Sequence, residues 1–267
     1  MRQYITKQNW TLLSELVRTD FKLRYQASFL GYAWSLLRPL MLFSILYVIF
    51  AVVIKSGDGI PHFPVYLLLG IVLWTFFTEM TTLSLGSIVN RGDLIRKIRI
   101  PCWIIVFSSS ISALINLGLN LLVFIVVMLV NHVEIHRSIL LFPLILLEVY
   151  IFALGISLLL SAAFVKFRDL SYIWEVILQL GFYATPILYS MSIIPPRFQK
   201  LQLLNPMAQA LQDARYSVVS HSQKVITASS AFNGNWEQLI PIFGVILTLT
   251  AGLIYFRSQA KYFAENI

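Results

Sequence analysis

Arg18–Pro39, RTDFKLRYQASFLGYAWSLLRP, joins a basic amphipathic segment to the first of several long apolar runs. Placed on a helix, Trp10, Leu13, Val17, Phe21 and Tyr25 share one stripe, spaced three or four apart. Glu15, Arg18, Lys22 and Gln26 fall on a different, polar side. Asp20 and Arg24 stand at i,i+4 with the acid first, the favourable order for a helical ion pair. A helix so divided, over about residues 8–28, fits a membrane interface, apolar face in lipid and cations among headgroups. An ordinary surface helix ahead of a span fits the same pattern.

Working outward, 58% of the 267 residues are apolar and 12% charged, against roughly a quarter charged in soluble domains. Mean hydropathy is +0.78. Six runs are long enough to cross a bilayer, which takes about 20 helical residues. They lie near 33–54, 65–86, 102–130, 139–165, 172–190 and 238–256. The expected fold is therefore an all-α integral membrane protein with six transmembrane helices, an N-terminal interface helix, and short external helices between the fifth and sixth spans. No Gly/Ser-rich linker or internal repeat divides the chain, so one domain over 1–267 suffices. The N-terminus lacks the apolar core and small-residue site of a cleavable signal peptide. The single Cys102 forms no intrachain disulfide.

A net charge of +8 raises nucleic acid as a partner, but the cations cluster in the gaps between apolar runs. That is positive-inside patterning, and no nucleic-acid partner is expected. One side collects the N-terminal cations with Arg38, then Arg91, Arg96, Lys97, Arg99, Lys166, Arg168, Arg257 and Lys261, fourteen in all. The other holds Lys55, Arg137, Arg197, Lys200, Arg215 and Lys224, which is six. Both termini are thus expected in the cytoplasm. Residues 87–101 read as a short cytoplasmic helix or turn; its basic run serves topology, or docks a cytoplasmic partner. Lys166-Phe167-Arg168-Asp169 repeats the pattern.

The 190–237 segment is too long for a mere connector. Asn205-Pro206 pairs an N-cap with a first-turn proline, and Met207, Leu211, Ala214 and Val218 trace one apolar face. An earlier short helix starts at Pro196 and carries Phe198 and Leu201. Both are expected to dip into or lie on the outer face, as an external gate or a plain cap.

The Arg18–Pro39 stretch, R-x-D-F-K-x-R-Y-x-x-S-x-L-G-x-x-W-x-x-L-x-P, resembles the N-terminal signature of ABC-2 type permeases that export cell-surface polysaccharides. Asn90–Pro101 (NRGDLIRKIRIP), Phe167-Arg168-Asp169, Thr185-Pro186-Ile187-Leu188-Tyr189 and Leu204-Asn205-Pro206 follow in that family's order. The resemblance spans nearly the whole chain and is nearest to permeases for rhamnose-rich wall polysaccharides of Gram-positive bacteria; O-antigen and teichoic-acid exporters belong to the same family. It implies a homodimer docked on two copies of a cytoplasmic ATPase, moving a polyprenyl-pyrophosphate-linked polysaccharide outward. Arg91, Asp93, Arg96, Lys97, Arg99, Arg168 and Asp169 would contact the ATPase. Arg18, Lys22 and Arg24 would attract the pyrophosphate among the membrane lipids.

None of the twelve glycines is followed by lysine, so the chain has no P-loop. No cofactor is expected on this chain; ATP and magnesium would sit on the partner subunit. His132 and His136 flank Glu134 at helical spacing for zinc, but no further ligand accompanies them and no metal site is assigned. Glu79, Glu148 and Glu175 lie in or beside spans, where carboxylates are costly; they read as polar contacts in the bundle or between copies. Trp34, Trp103 and Tyr189 suit an interfacial belt. Tyr47, Trp74, Phe76, Phe77, Phe182 and Tyr183 fall further in, where aromatic faces either stack on sugars or simply meet lipid. Two other functions stay open: an ABC-2 permease for a drug or small lipid, and a membrane enzyme acting on polyprenyl-linked sugars. The enzyme needs a cluster of acids or a His/Asp set, and no catalytic residue is assigned.

Overall fold

The computed structural model describes residues 7–25, 33–53, 60–97, 101–219, 225–232 and 234–266. Among them there is no strand. The α-helices are α1 (Lys7–Tyr25), α2 (Ala33–Tyr47), α3 (Phe63–Leu85), α4 (Gly92–Lys97), α5 (Trp103–Val130), α6 (Phe142–Lys166), α7 (Leu170–Ala184), α8 (Pro196–Leu203), α9 (Pro206–Val218), α10 (Ala228–Ala231), α11 (Ile240–Ala260) and α12 (Phe263–Asn266).

α3 is the axis of the bundle. Its first half, residues 63–74, is apolar all round, and a helix of that kind is stable only when enclosed; Val65, Leu67, Leu69, Ile71, Leu73 and Met80 have no exposure at all. α5 and α6 pack along it, and α11 packs on α6. The α6–α11 crossing depends on two glycines. A Cβ on Gly155 would stand 2.7 Å from the backbone nitrogen of Leu249, and one on Gly252 would meet the carbonyl oxygen of Gly155. The backbones touch, as small residues allow between membrane helices.

Five helical segments among the described residues are long and apolar enough to span: Ala33–Val53, Phe63–Leu85, Trp103–Val130, Arg137–Lys166 and Trp236–Ala260. These match five of the six expected runs. The first bends into a π-helical turn at Val48–Val53, keeps Pro39 buried inside it, and leaves Met41, Ile45, Val48 and Val52 exposed for lipid or another chain.

The run expected at 172–190 differs. α7 holds 15 residues, about 22 Å at 1.5 Å per residue, and stops short of the expected end. Thr185 turns to an extended backbone, ψ 139°, because the proline that follows disfavours helix at the preceding residue. The chain then returns through α8 into α9, which is not a surface helix. Met207, Leu211, Ala214 and Val218 are all buried, and α9 packs against α3, α6 and α11. The Asn205 side chain caps α9 by accepting from the Met207 amide at 3.0 Å. α8 is shallower: Phe198 and Leu201 are exposed, while Leu203 turns in against Met191, Ala228 and Phe232.

Candidate functional site

At one end of the bundle, α1 lies on α5, with Leu13 of its apolar stripe buried. Between them runs a groove of about 710 Å³ lined by Trp10, Leu13, Ser14, Val17, Arg18, Lys22, Ile111 and Ile115. Arg18 and Lys22 are exposed above this apolar floor. Chemically the groove suits a chain of methylenes or isoprene units ending in a phosphate. The side chains of Phe21, Arg24 and Tyr25 lie outside the described residues, and so does Gln26.

Asp20 faces the other way on α1. Its carboxylate accepts from Arg91 Nη2, whose Nη1 donates to Ser108 Oγ at 2.8 Å. A cation 71 residues away, on the segment before α4, engages Asp20; the pairing with Arg24 expected from helical spacing lies outside the described residues. A cavity of about 250 Å³ opens beside the pair, lined by Asp20, Leu83, Ser87, Asn90, Arg91, Ser109 and Ser112.

Arg91 is thereby separated from the other residues grouped with it for docking. Asp93, Arg96 and Lys97 on α4 are exposed, as are Lys166, Phe167, Arg168 and Asp169 at the α6–α7 turn; Arg99 lies outside the described residues. The small α12 touches both α4 and α6, which brings the two basic segments to one end of the molecule. Sequence spacing alone does not join them.

The aromatics divide by position. Trp74, Phe76 and Phe77 are buried within this single chain. Trp74, Phe77, Phe152, Trp174 and Phe182 form a ring-on-ring cluster between α3, α6 and α7, with centroids 5.5–6.3 Å apart. Trp174 Nε1 donates to Thr81 Oγ1 at 3.1 Å. Tyr47 is half-buried and stacks on Phe43, whereas Tyr183 is exposed. Of the three acids, Glu79 accepts from Asn116 Nδ2, a contact within the bundle. Glu148 faces Gln209 and Asp213 of α9, with the Gln209 amide donating to Asp213. Burial raises the Asp213 carboxyl above its ordinary range. Glu175 is exposed. His132 and His136 sit on a turn and an extended stretch rather than a helix, so their spacing does not form a helical ligand pair. Trp34 is exposed and Trp103 half-buried.

The far end of α7 brings Tyr189, expected from sequence in an interfacial belt, together with Gln202 and Arg215, to which the sequence assigned no site role. Its last carbonyls have no helical partners, and side chains from the returning segment take them. Tyr189 Oη reaches the Tyr183 carbonyl at 3.1 Å, and Gln202 Nε2 donates to the Ala184 carbonyl. Arg215, counted from sequence among the external cations, is fully buried. It donates to the carbonyls of Pro186, Ile187 (2.8 Å) and Tyr66 (3.3 Å) and lies 3.5 Å over the Tyr66 ring. Burial lowers its pKa to about 10, with Tyr66 opposing, so it remains a cation at neutral pH. The one sequence signal was its place beside the buried α9 stripe, four residues after Leu211.

A family model described as "ABC-2 type transporter" matches residues 11–219. The chain is 30% identical to the O-antigen export system permease protein RfbA of Myxococcus xanthus, over 96% of this chain and 95% of that protein. It is 30% identical to the protein of the same name from Klebsiella pneumoniae, over 95% and 94%. The polysialic acid transport protein KpsM of Escherichia coli is 22% identical over 75% and 78%. The match reaches from α1 through the buried α9, across the α7 break. The chain belongs to the ABC-2 type transporter family.

Proposed function

We propose that this chain is the membrane subunit of an exporter that carries a polyprenyl-pyrophosphate-linked polysaccharide outward across the bacterial inner membrane. The observation that carries this reading is its similarity, over nearly its whole length, to proteins named as O-antigen export permeases. The α1–α5 groove supports it. An isoprenoid chain suits the floor of Leu13, Val17, Ile111 and Ile115, and a pyrophosphate suits Arg18 and Lys22, each cation worth about 1 kcal/mol near anionic headgroups. Two copies form the path, both termini are cytoplasmic, and Arg24, which follows Lys22 in sequence, is a third cation for the pyrophosphate. Exposed α2 and α7 faces, including Tyr183, meet the second copy or the glycan. With no P-loop here, ATP and magnesium belong to a cytoplasmic ATPase. It docks on Asp93, Arg96, Lys97, Arg99, Arg168 and Asp169.

Depleting the protein tests this. Lipid-linked glycan is expected to build up on the inner leaflet while surface glycan falls. Intact surface glycan with raised sensitivity to hydrophobic drugs would replace this cargo with a small lipid or drug.

A further inference from the structure

The break after α7 leaves two successive carbonyls, of Pro186 and Ile187, in a buried segment where water does not serve them. Non-helical backbone at membrane depth persists only where protein groups satisfy it. One side chain does so here. Arg215 spreads its fork over both carbonyls and sends Nε to the Tyr66 carbonyl of α3. Among the described residues no carboxylate pairs with it. Its charge is held by main-chain dipoles and the Tyr66 ring. Lysine lacks this reach, because a single ammonium cannot form a planar fork. α3 is shaped to admit it: one turn beyond Tyr66, a Cβ on Gly70 would stand 2.9 Å from Nη2 and 3.2 Å from Ile187 Cγ2. Tyr66 Oη in turn lies 3.4 Å from the Tyr189 carbonyl, at the next bend of the same segment.

We propose that Arg215 is a positioning residue that locks the unwound end of α7 to α3, so that α3, the α7 end and α9 move as one body during export. Its role in the transport cycle rests on the function proposed above; the lock itself does not.

Two measurements on the full complex, with Cys102→Ser as background, separate these. In the first, Ile187→Cys is labelled with a maleimide in purified protein, with no glycan present. Arg215→Gln and Arg215→Lys are expected to raise the labelling rate about tenfold, the weight of one hydrogen bond to a charged group. Unchanged labelling overturns the lock. In the second, Arg215→Ala is combined with Gly70→Cys and Ile187→Cys, which the 3.2 Å approach places within reach of a disulfide. Oxidation is expected to restore export per inserted complex to within about twofold of the parent, and reduction to abolish it. A disulfide that forms without restoring export overturns the role in export, as does normal export by Arg215→Gln. If the Arg215 variants do not accumulate, Gly70→Ala with Ile187→Cys takes their place, since the new methyl pushes on the guanidinium. Faster labelling then supports the lock and unchanged labelling refutes it.

Discussion

Neutralising Asp20 and Arg91, singly and together, tests whether α1 is mechanically joined to the segment before α4. The Arg91 side chain is 17% exposed and that of Asp20 30%, so the pair lies between a solvated surface bridge and a buried one. At an effective dielectric of about 20, unit charges about 4 Å apart attract by roughly 4 kcal/mol. Desolvation and side-chain ordering take back part of that. Exposed pairs net about 0.2–1 kcal/mol, and breaking a buried pair costs about 3–5, so a coupling of about 2 kcal/mol is expected here. The Ser108 hydrogen bond outlives loss of Asp20, which keeps the estimate from the upper bound. The assay is the thermal midpoint of the purified complex at one scan rate. Asp20→Asn and Arg91→Gln should each lower it by several degrees, at about 2–4 °C per kcal/mol for chains of this size. The double variant should fall little further than the worse single one. Additive losses, or no loss in either single variant, would refute the link.

Two further outcomes follow from packing and charge. Gly252→Val should cost 3 kcal/mol or more, because backbone blocks the new side chain, and it should sharply reduce monodisperse protein in detergent; Gly118→Ala, which meets nothing within 4 Å, should be neutral or gain up to about 1 kcal/mol. Arg96→Glu with Lys97→Glu should leave the inserted chain folded but cut co-purification of the ATPase at least tenfold, and normal co-purification would exclude α4 as its dock.

Most of the fold was legible because a bilayer imposes one length and one polarity on every crossing segment. Five spans fall where hydropathy puts them. The run at 172–190 misled because hydropathy is blind to backbone: Thr185-Pro186 ends α7 while the apolar sequence continues through Ile187, Leu188 and Tyr189. α9 was legible as a helix, from its cap and stripe, but the sequence did not decide between dipping into the outer face and lying on it. Gln209, Gln212 and Arg215 make it polar by composition, yet all three are buried. Within the site, Arg18 and Lys22 could be read from their helical face. The Asp20–Arg91 bond could not, since nothing local connects residues 71 apart. Nor could sequence sort the aromatics considered for a path: nothing in the α3 pattern tells that Trp74, Phe76 and Phe77 turn into the bundle.

Burial also changes how the charges should be counted for orientation. The positive-inside rule concerns cations that stay in water on one side during insertion. Arg215 is enclosed by carbonyls and a tyrosine ring, so it no longer weighs as a free external cation, and the opposing set falls from six to five. Arg91 is likewise spent on Asp20 and Ser108. Arg18, Lys22, Arg96, Lys97, Lys166 and Arg168 remain exposed, on the segments proposed to face the cytoplasm. On the proposed orientation these cations set topology and also form the two surfaces proposed to bind the pyrophosphate and the ATPase. The half-buried Arg91 and the buried Arg215 have a different task, joining helices that sequence leaves far apart: α1 to the segment before α4 at one end, and the end of α7 to α3 and α9 at the other. On the proposed mechanism, that division lets the inner end exchange partners while the outer end moves as a block.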